Sequence, residues 1–116
     1  MGSILHIDET KHSVRVEPMV TALELNDFLM EQGWMLPVVP ELENLTIGGL
    51  VLGGGIETTA HKHGLFHDIC SRYEMVVADG SVVWCSKDAE PELFMAIPMS
   101  YGTLGMRYFL QICIVI

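Results

Sequence analysis

With 116 residues, half of them hydrophobic and 18% charged, the chain has room for one small domain and apolar side chains for one core. Fifteen acidic against six basic residues leave a formal charge of −9 without any Lys/Arg run, so no nucleic acid is expected as a partner. The three cysteines, Cys70, Cys85 and Cys113, are odd in number and form no Cys-x-x-Cys pair. They read as buried thiols of a reducing compartment, not as a disulfide framework. No stretch reaches the roughly 18–20 apolar residues of a membrane span. The apolar ending, Tyr108–Ile116, reads as part of a polypeptide that runs on into something larger.

Ile4–Asp8 and Ser13–Glu17 read as two short strands around the polar turn Glu9–His12, with Pro18 closing the second. Thr21-Ala22-Leu23-Glu24 is a capping-box pattern, with Val20 and Leu25 at the staple positions on either side. It opens a helix whose Ala22, Leu25, Phe28 and Leu29 share the core face and which Gly33 stops. Trp34–Pro40, with two prolines, is expected to run extended. Leu50-Val51-Leu52, between two glycine groups, allows one or two helical turns starting after Gly48-Gly49. Met75–Trp84 reads as a hairpin on a tight Asp79-Gly80 turn, with Arg72 and Glu74 on its solvated face. Pro91 can open a short helix over Glu92–Ile97, Ser100–Gly105 is a turn, and Arg107–Ile116 is a last strand. Strands and helices mix without βαβ alternation. The fold class is therefore α+β, with a largely antiparallel sheet.

The run Thr46-Ile47-Gly48-Gly49-Leu50-Val51-Leu52-Gly53-Gly54-Gly55-Ile56-Glu57-Thr58 is the first candidate for chemistry. Glycine lets the backbone approach a ligand and aim successive N–H groups at one anion, and a helical turn adds its dipole. At this net charge a dianionic cofactor would have to be held by main-chain amides. The spacing matches neither Gly-x-Gly-x-x-Gly nor the P-loop pattern, and a glycine-rich surface turn without a ligand remains open. His61-Lys62-His63 with His67-Asp68 imitates the first metal motif of cupins, since histidines at i, i+2 on a strand share a side. The partner motif is missing downstream, and no metal site is assigned. Gly102-Thr103-Leu104-Gly105, a tight turn before a hydrophobic strand, is the third candidate, with a plain helix-to-strand connection as its alternative.

In order along the sequence, several motifs resemble the FAD-linked oxidase family that includes vanillyl-alcohol oxidase. They are Val14–Pro18, Gly33–Leu42, Leu45–Gly49, Gly53–Glu57, His61–Phe66, Tyr73–Gly80, Glu92–Pro98 and Gly102–Gly105. Within that family the sequence is most similar to the sterol-reducing branch, over about residues 4–116. The resemblance implies a PCMH-type FAD-binding domain of two lobes with flavin between them. This chain would supply the tail of the first lobe, about residues 1–40, and the second lobe, about 41–116. It implies FAD along Thr46–Thr58 and near Gly102, Thr103, Leu104 and Gly105. NADPH would be the reductant and a sterol the substrate, with the rest of the FAD domain and a cap domain as partners. It also implies an endoplasmic-reticulum membrane location for the parent enzyme. His63 stands where the family commonly has tyrosine. No catalytic residue is nominated, although Glu57 and His61 flank the flavin run. A catalytically silent binding module of the same fold, and more remotely a cupin-like metal domain, are the competing readings.

Overall fold

A computed structural model describes residues 2–115. Its centre is a five-stranded antiparallel sheet of β1 (Ile4–Asp8), β2 (Ser13–Val16), β3 (Cys70–Val76), β4 (Val82–Ser86) and β5 (Met106–Cys113), in the order β1-β2-β5-β3-β4. The last strand therefore pairs between the first and second hairpins, and β2 pairs β5 across most of the sequence. One lateral row, Val16–Leu110–Tyr73–Cys85, faces the core, and all four side chains are buried. Four α-helices complete the fold: α1 (Ala22–Met30), α2 (Ile47–Gly53), α3 (Ala60–His63) and α4 (Pro91–Ala96). Leu25, Leu29, Ile47, Val51, Phe94 and Ile97 from these segments join the same apolar cluster as the sheet. None of the helices among the described residues is long and apolar enough to cross a membrane.

The capping box forms as the sequence predicts. Thr21 Oγ1 accepts from the Glu24 N–H at 3.2 Å, and the Glu24 carboxylate accepts from the Thr21 N–H at 2.8 Å. Ala22, Leu25 and Leu29 are buried beneath the staple residue Val20, with Phe28 partly covered. The 34–40 segment is non-helical: Met35 bridges Val115, and the chain bends at Pro37 and Val38. Pro91 takes the first turn of α4.

Other expectations need correction. The hairpin turns over a longer loop: Val77 N–H donates to Ser81 O at 3.0 Å, and only Gly80 of the Asp79-Gly80 pair has positive φ, 84°. Either mirror-image two-residue turn would need positive φ at Asp79, the first of the pair. Glu74 is not on a solvated face. It is 9% exposed and paired with Arg15 on the outer side of the sheet. Cys70 and Cys85 are buried thiols, but Cys113 is exposed. The final strand ends at Cys113, and Ile116 lies outside the described residues.

A bulge shapes the site. Glu74 pairs Phe109 while the next residue, Met75, pairs Arg107, so β5 spends an extra residue at Tyr108. The insertion reverses the alternation and turns Arg107 inward beside Met75. Burial depresses the guanidinium pKa. Its Nη2 donates to the carbonyl oxygen of Gly48, whereas Nη1 is buried without a partner among the described residues.

Candidate functional site

The glycine run folds into α2 and the loop after it, and the helix begins earlier than expected. It starts at Ile47, with Thr46 as N-cap accepting the Gly49 N–H at 3.1 Å. Gly48 and Gly49 thus lie within its first turn. Gly54, at φ 75° and ψ 58°, is the left-handed stop and donates to Leu50 O.

The glycines have separate duties, which the space around each one shows. A Cβ on Gly48 would sit 2.8 Å from Pro18 Cβ and 2.9 Å from Arg107 Nη2, and one on Gly55 would sit 2.8 Å from Leu50 Cδ2. These two are small because packing leaves no room. A Cβ on Gly53 would meet nothing within 4 Å, and one on Gly49 only Thr46 Oγ1 at 3.1 Å. Gly49 and Gly53 are four residues apart and so share one helix face, which is bare main chain open to the surface. That face borders a shallow cleft of about 230 Å³, lined by Leu45, Gly49, Leu50, Gly53, Gly54 and Gly55.

The second predicted stretch is brought alongside. Met99 N–H donates to Val51 O at 3.1 Å, and the nearest atom to a Cβ on Gly102 is Leu52 Cδ1, at 4.0 Å. Thr103 folds back on Ser100 through its N–H and hydroxyl, and Leu104 is exposed. A Cβ on Gly105 would lie 2.6 Å from Val76 O, so this glycine serves strand packing. Ile47 and Val51 send their side chains into the core. Leu45 lines the cleft beside the glycine face, and Met99, which belongs to no glycine motif, lies against Gly54.

The amides at the start of α2 do not form an anion cradle. Ile47 N–H donates to Val20 O and Gly48 N–H to Pro18 O, both at 2.8 Å, and Thr46 takes Gly49. The segment before α1 lies against this turn and supplies the acceptors. The open donors are further on. Among the described residues, the N–H groups of Ile56, Glu57 and Thr58 have no acceptor, and Thr59 Oγ1 is buried without a partner. A group that lays a flat surface over Gly49 and Gly53 and offers oxygens to the N–H groups of residues 56–58 fits this arrangement.

His61 and His63 lie on α3, a single helical turn, and His67 on the 3-10 turn Phe66–Ile69, so the strand argument for a shared ligand side fails. His61 Nδ1 and Thr58 O are 2.9 Å apart, and no group of three metal-ligating side chains forms among the described residues.

Residues 1–86 match a family model described as an FAD binding domain, and the chain belongs to that family. It is similar to the Delta(24)-sterol reductase of Homo sapiens, at 50% identity over 112 residues, covering 97% of this chain and 22% of that protein. The L-gulonolactone oxidase of Mus musculus is 30% identical over 106 residues, covering 91% of this chain and 24% of its own length. The crystal structure of 6-hydroxy-D-nicotine oxidase from Arthrobacter nicotinovorans superposes with a TM-score of 0.87 at 28% identity, covering 97% of this chain and 24% of that one. The α+β fold is shared with that oxidase. The chain spans about a fifth of the length of the relatives it matches.

Proposed function

We propose that this chain is the FAD-cradling part of a flavin-dependent sterol reductase whose reaction is reduction of a carbon–carbon double bond in the sterol's aliphatic tail. The carrying observation is the bare Gly49–Gly53 face, followed along the sequence by the amides of residues 56–58, which have no acceptor among the described residues. The 50% identity to the Homo sapiens Delta(24)-sterol reductase supports the substrate class. NADPH as reductant and an endoplasmic-reticulum membrane location belong to the same proposal. So does the lobe assignment, with residues 1–40 as the first-lobe tail built into the second lobe's sheet through β2–β5 pairing.

When bound, FAD supplies the two-electron chemistry. Gly49 and Gly53 keep the cofactor-facing surface flat, which no residue with a Cβ would do. Ile56, Glu57 and Thr58 would offer main-chain N–H groups to the cofactor's oxygens. Leu45, Ile56 and Leu104 exclude water from the margin. Gly102, at the start of the Gly102–Gly105 turn, would hold the far edge beside Leu52. Attraction to an anionic cofactor comes from amide dipoles, because the chain as a whole is acidic.

The test is retention of flavin. The chain, mixed with FAD at tens of micromolar and desalted, is expected to keep flavin absorbance and to quench flavin fluorescence. A colourless protein would point instead to a catalytically silent module of the same fold.

A further inference from the structure

Charge is segregated along this chain. All six lysines and arginines, and every histidine, lie outside residues 17–60, the stretch that makes α1, the segment after it and α2. Asp27, Glu31, Glu41 and Glu43 within it are exposed, and none forms an ion pair among the described residues. Between α1 and the 34–40 segment runs an open groove of about 340 Å³, lined by Asn26, Met30, Gly33, Trp34, Met35 and Val39. Its apolar walls are uncovered: Met30 is 63% exposed and Met35 44%. Leu23, Asn26 and Met30 share one face of α1, so the apolar edge continues from Met30 to Leu23, which is also exposed.

We propose that this groove docks a cationic amphipathic helix of another polypeptide. The main chain sets the form of the partner. Gly33 N–H donates to Met30 O, Trp34 N–H to Leu29 O, and Met35 N–H to Val115 O, while Met35 O accepts from Val115. These groups are consumed and cannot pair with an added strand, so the partner's own main chain must be satisfied internally, as in an α-helix. Size sets the anchors. An engineered apolar cavity of about 150 Å³ accepts benzene, so this groove takes two large apolar side chains, the i and i+4 pair of one helix face. The methionines, unbranched and polarizable, mould to such side chains.

Charge sets the flanks. Asp27 lies one turn before Met30 and Glu31 directly after it, while Glu41 and Glu43 follow Val39, which puts carboxylates on both walls. Lysines or arginines beside the anchors meet them, whereas an acidic helix or an anionic lipid surface is repelled. The neighbouring bases do not neutralise this rim. Lys11 is held by the Asp8 carboxylate at 3.4 Å, and His12 packs its ring on Trp34 with centroids 5.1 Å apart. A second copy of the chain cannot supply the helix: α1, α2 and α4 contain no base, and α3 is a single turn. The groove shares no lining residue with the Leu45–Gly55 cleft, so the inference stands independently of the flavin reading.

The experiment is an NMR titration of the chain, its methionine methyls isotope-labelled, with a synthetic leucine–lysine peptide of about four helical turns. The Met30 and Met35 methyls are expected to shift to saturation with Kd below about 100 μM, while Met95 and Met106, exposed elsewhere on the chain, stay in place. The same peptide with glutamate for lysine should bind at least about tenfold more weakly. Met30→Gln combined with Met35→Gln, both at exposed positions, should weaken the lysine peptide at least about tenfold by fluorescence anisotropy, without lowering the unfolding midpoint. Equal shifts at Met95 and Met106 would mean general attraction to an acidic chain and overturn the assignment. So would equal affinity for the glutamate peptide, unchanged affinity in the double variant, or no saturable shift by about 1 mM. Dilution of the chain alone that moves Met30 and Met35 would put a second copy in the groove, and phosphatidylcholine vesicles that shift them as the peptide does would put a membrane there. Either result overturns it too.

Discussion

Arg107 on β5 and Gly48 on α2 are locked together: the guanidinium Nη2 donates to the glycine carbonyl, and the glycine has no Cβ because the guanidinium occupies that space. The contact ties the sheet to the first turn of the glycine helix and so fixes the height of the Gly49–Gly53 face above the core. It joins a buried cation to a neutral acceptor, with no carboxylate bonded to the guanidinium among the described residues.

Arg107 should therefore matter more for its volume and its stem than for its charge. Arg107→Ala leaves a cavity and frees α2 from β5, and is expected to cost about 2–4 kcal/mol. Arg107→Met keeps most of the volume and removes a desolvated charge, so its cost should stay below about 1.5 kcal/mol. Urea denaturation of the two variants against wild type checks the order. A larger loss in the Met variant would mean that the charge itself holds the fold.

The glycines should separate by assay. Gly48→Ala forces a Cβ into Pro18 and Arg107 and is expected to cost about 1–3 kcal/mol of stability. Gly49→Val points into open space, needs only a small movement of the Thr46 hydroxyl, and should change stability by less than about 1 kcal/mol. Its effect should fall on FAD, weakening affinity at least about tenfold through a Cβ placed where cofactor and main chain meet. Flavin-fluorescence titration beside denaturation reads both. Parallel losses at Gly49 would show that this glycine serves the fold.

The Thr21–Glu24 capping box gives a pH signature. Thr21→Ala should cost about 1 kcal/mol. Hydrogen bonds from the Thr21 N–H and hydroxyl hold the Glu24 carboxyl below its ordinary value of 4.5. A group with a depressed folded pKa contributes above its unfolded pKa and loses that contribution as pH falls through the folded one. Stability should thus decline below pH 4.5 more steeply in wild type than in Glu24→Gln, as thermal unfolding at about pH 3 and pH 6 would report.

Where local chemistry decides the outcome, the sequence was legible. The Thr21 cap, Pro91 at the start of α4, the hairpin and the non-helical 34–40 segment all follow from neighbours within a few residues. The motif order also carried the family. What escaped depends on partners far along the sequence. Alternation along β5 puts Arg107 with Phe109 and Gln111 on the outer face, and only the bulge against β3 turns it inward. The amides of Ile47 and Gly48 look free until Val20 and Pro18 arrive beside them, a juxtaposition no local pattern encodes. Glu74 looks solvated until β2 brings Arg15 across from 59 residues away.

Thiol reactivity should divide the cysteines. Cys113 is exposed, whereas burial raises Cys70 to about 12 and also raises Cys85. A disulfide-exchange reagent at about pH 8 should modify one thiol quickly in the native chain and all three after denaturation. Cys113→Ser should abolish the fast phase. A second fast thiol would show that the cover over Cys70 or Cys85 opens readily.

On the outer face of the sheet, Arg15 Nη2 lies 2.8 Å from Glu74 Oε2, and the guanidinium stacks 4.3 Å from the Phe109 centroid and 4.8 Å from that of Trp84. Glu74 is the more deeply buried partner, with its side chain 12% exposed against 38% for Arg15. That asymmetry sets the order of losses. Arg15→Met strands a carboxylate in an aromatic setting and should cost about 3 kcal/mol, while Glu74→Met leaves an arginine still stacked on two rings and should cost less. Arg15→Met combined with Glu74→Met removes both charges and should recover to within about 1 kcal/mol of wild type, a coupling that a double-mutant cycle measures directly. Additive losses would mean that Arg15 is held by the aromatic rings alone and that the pair contributes nothing to the sheet.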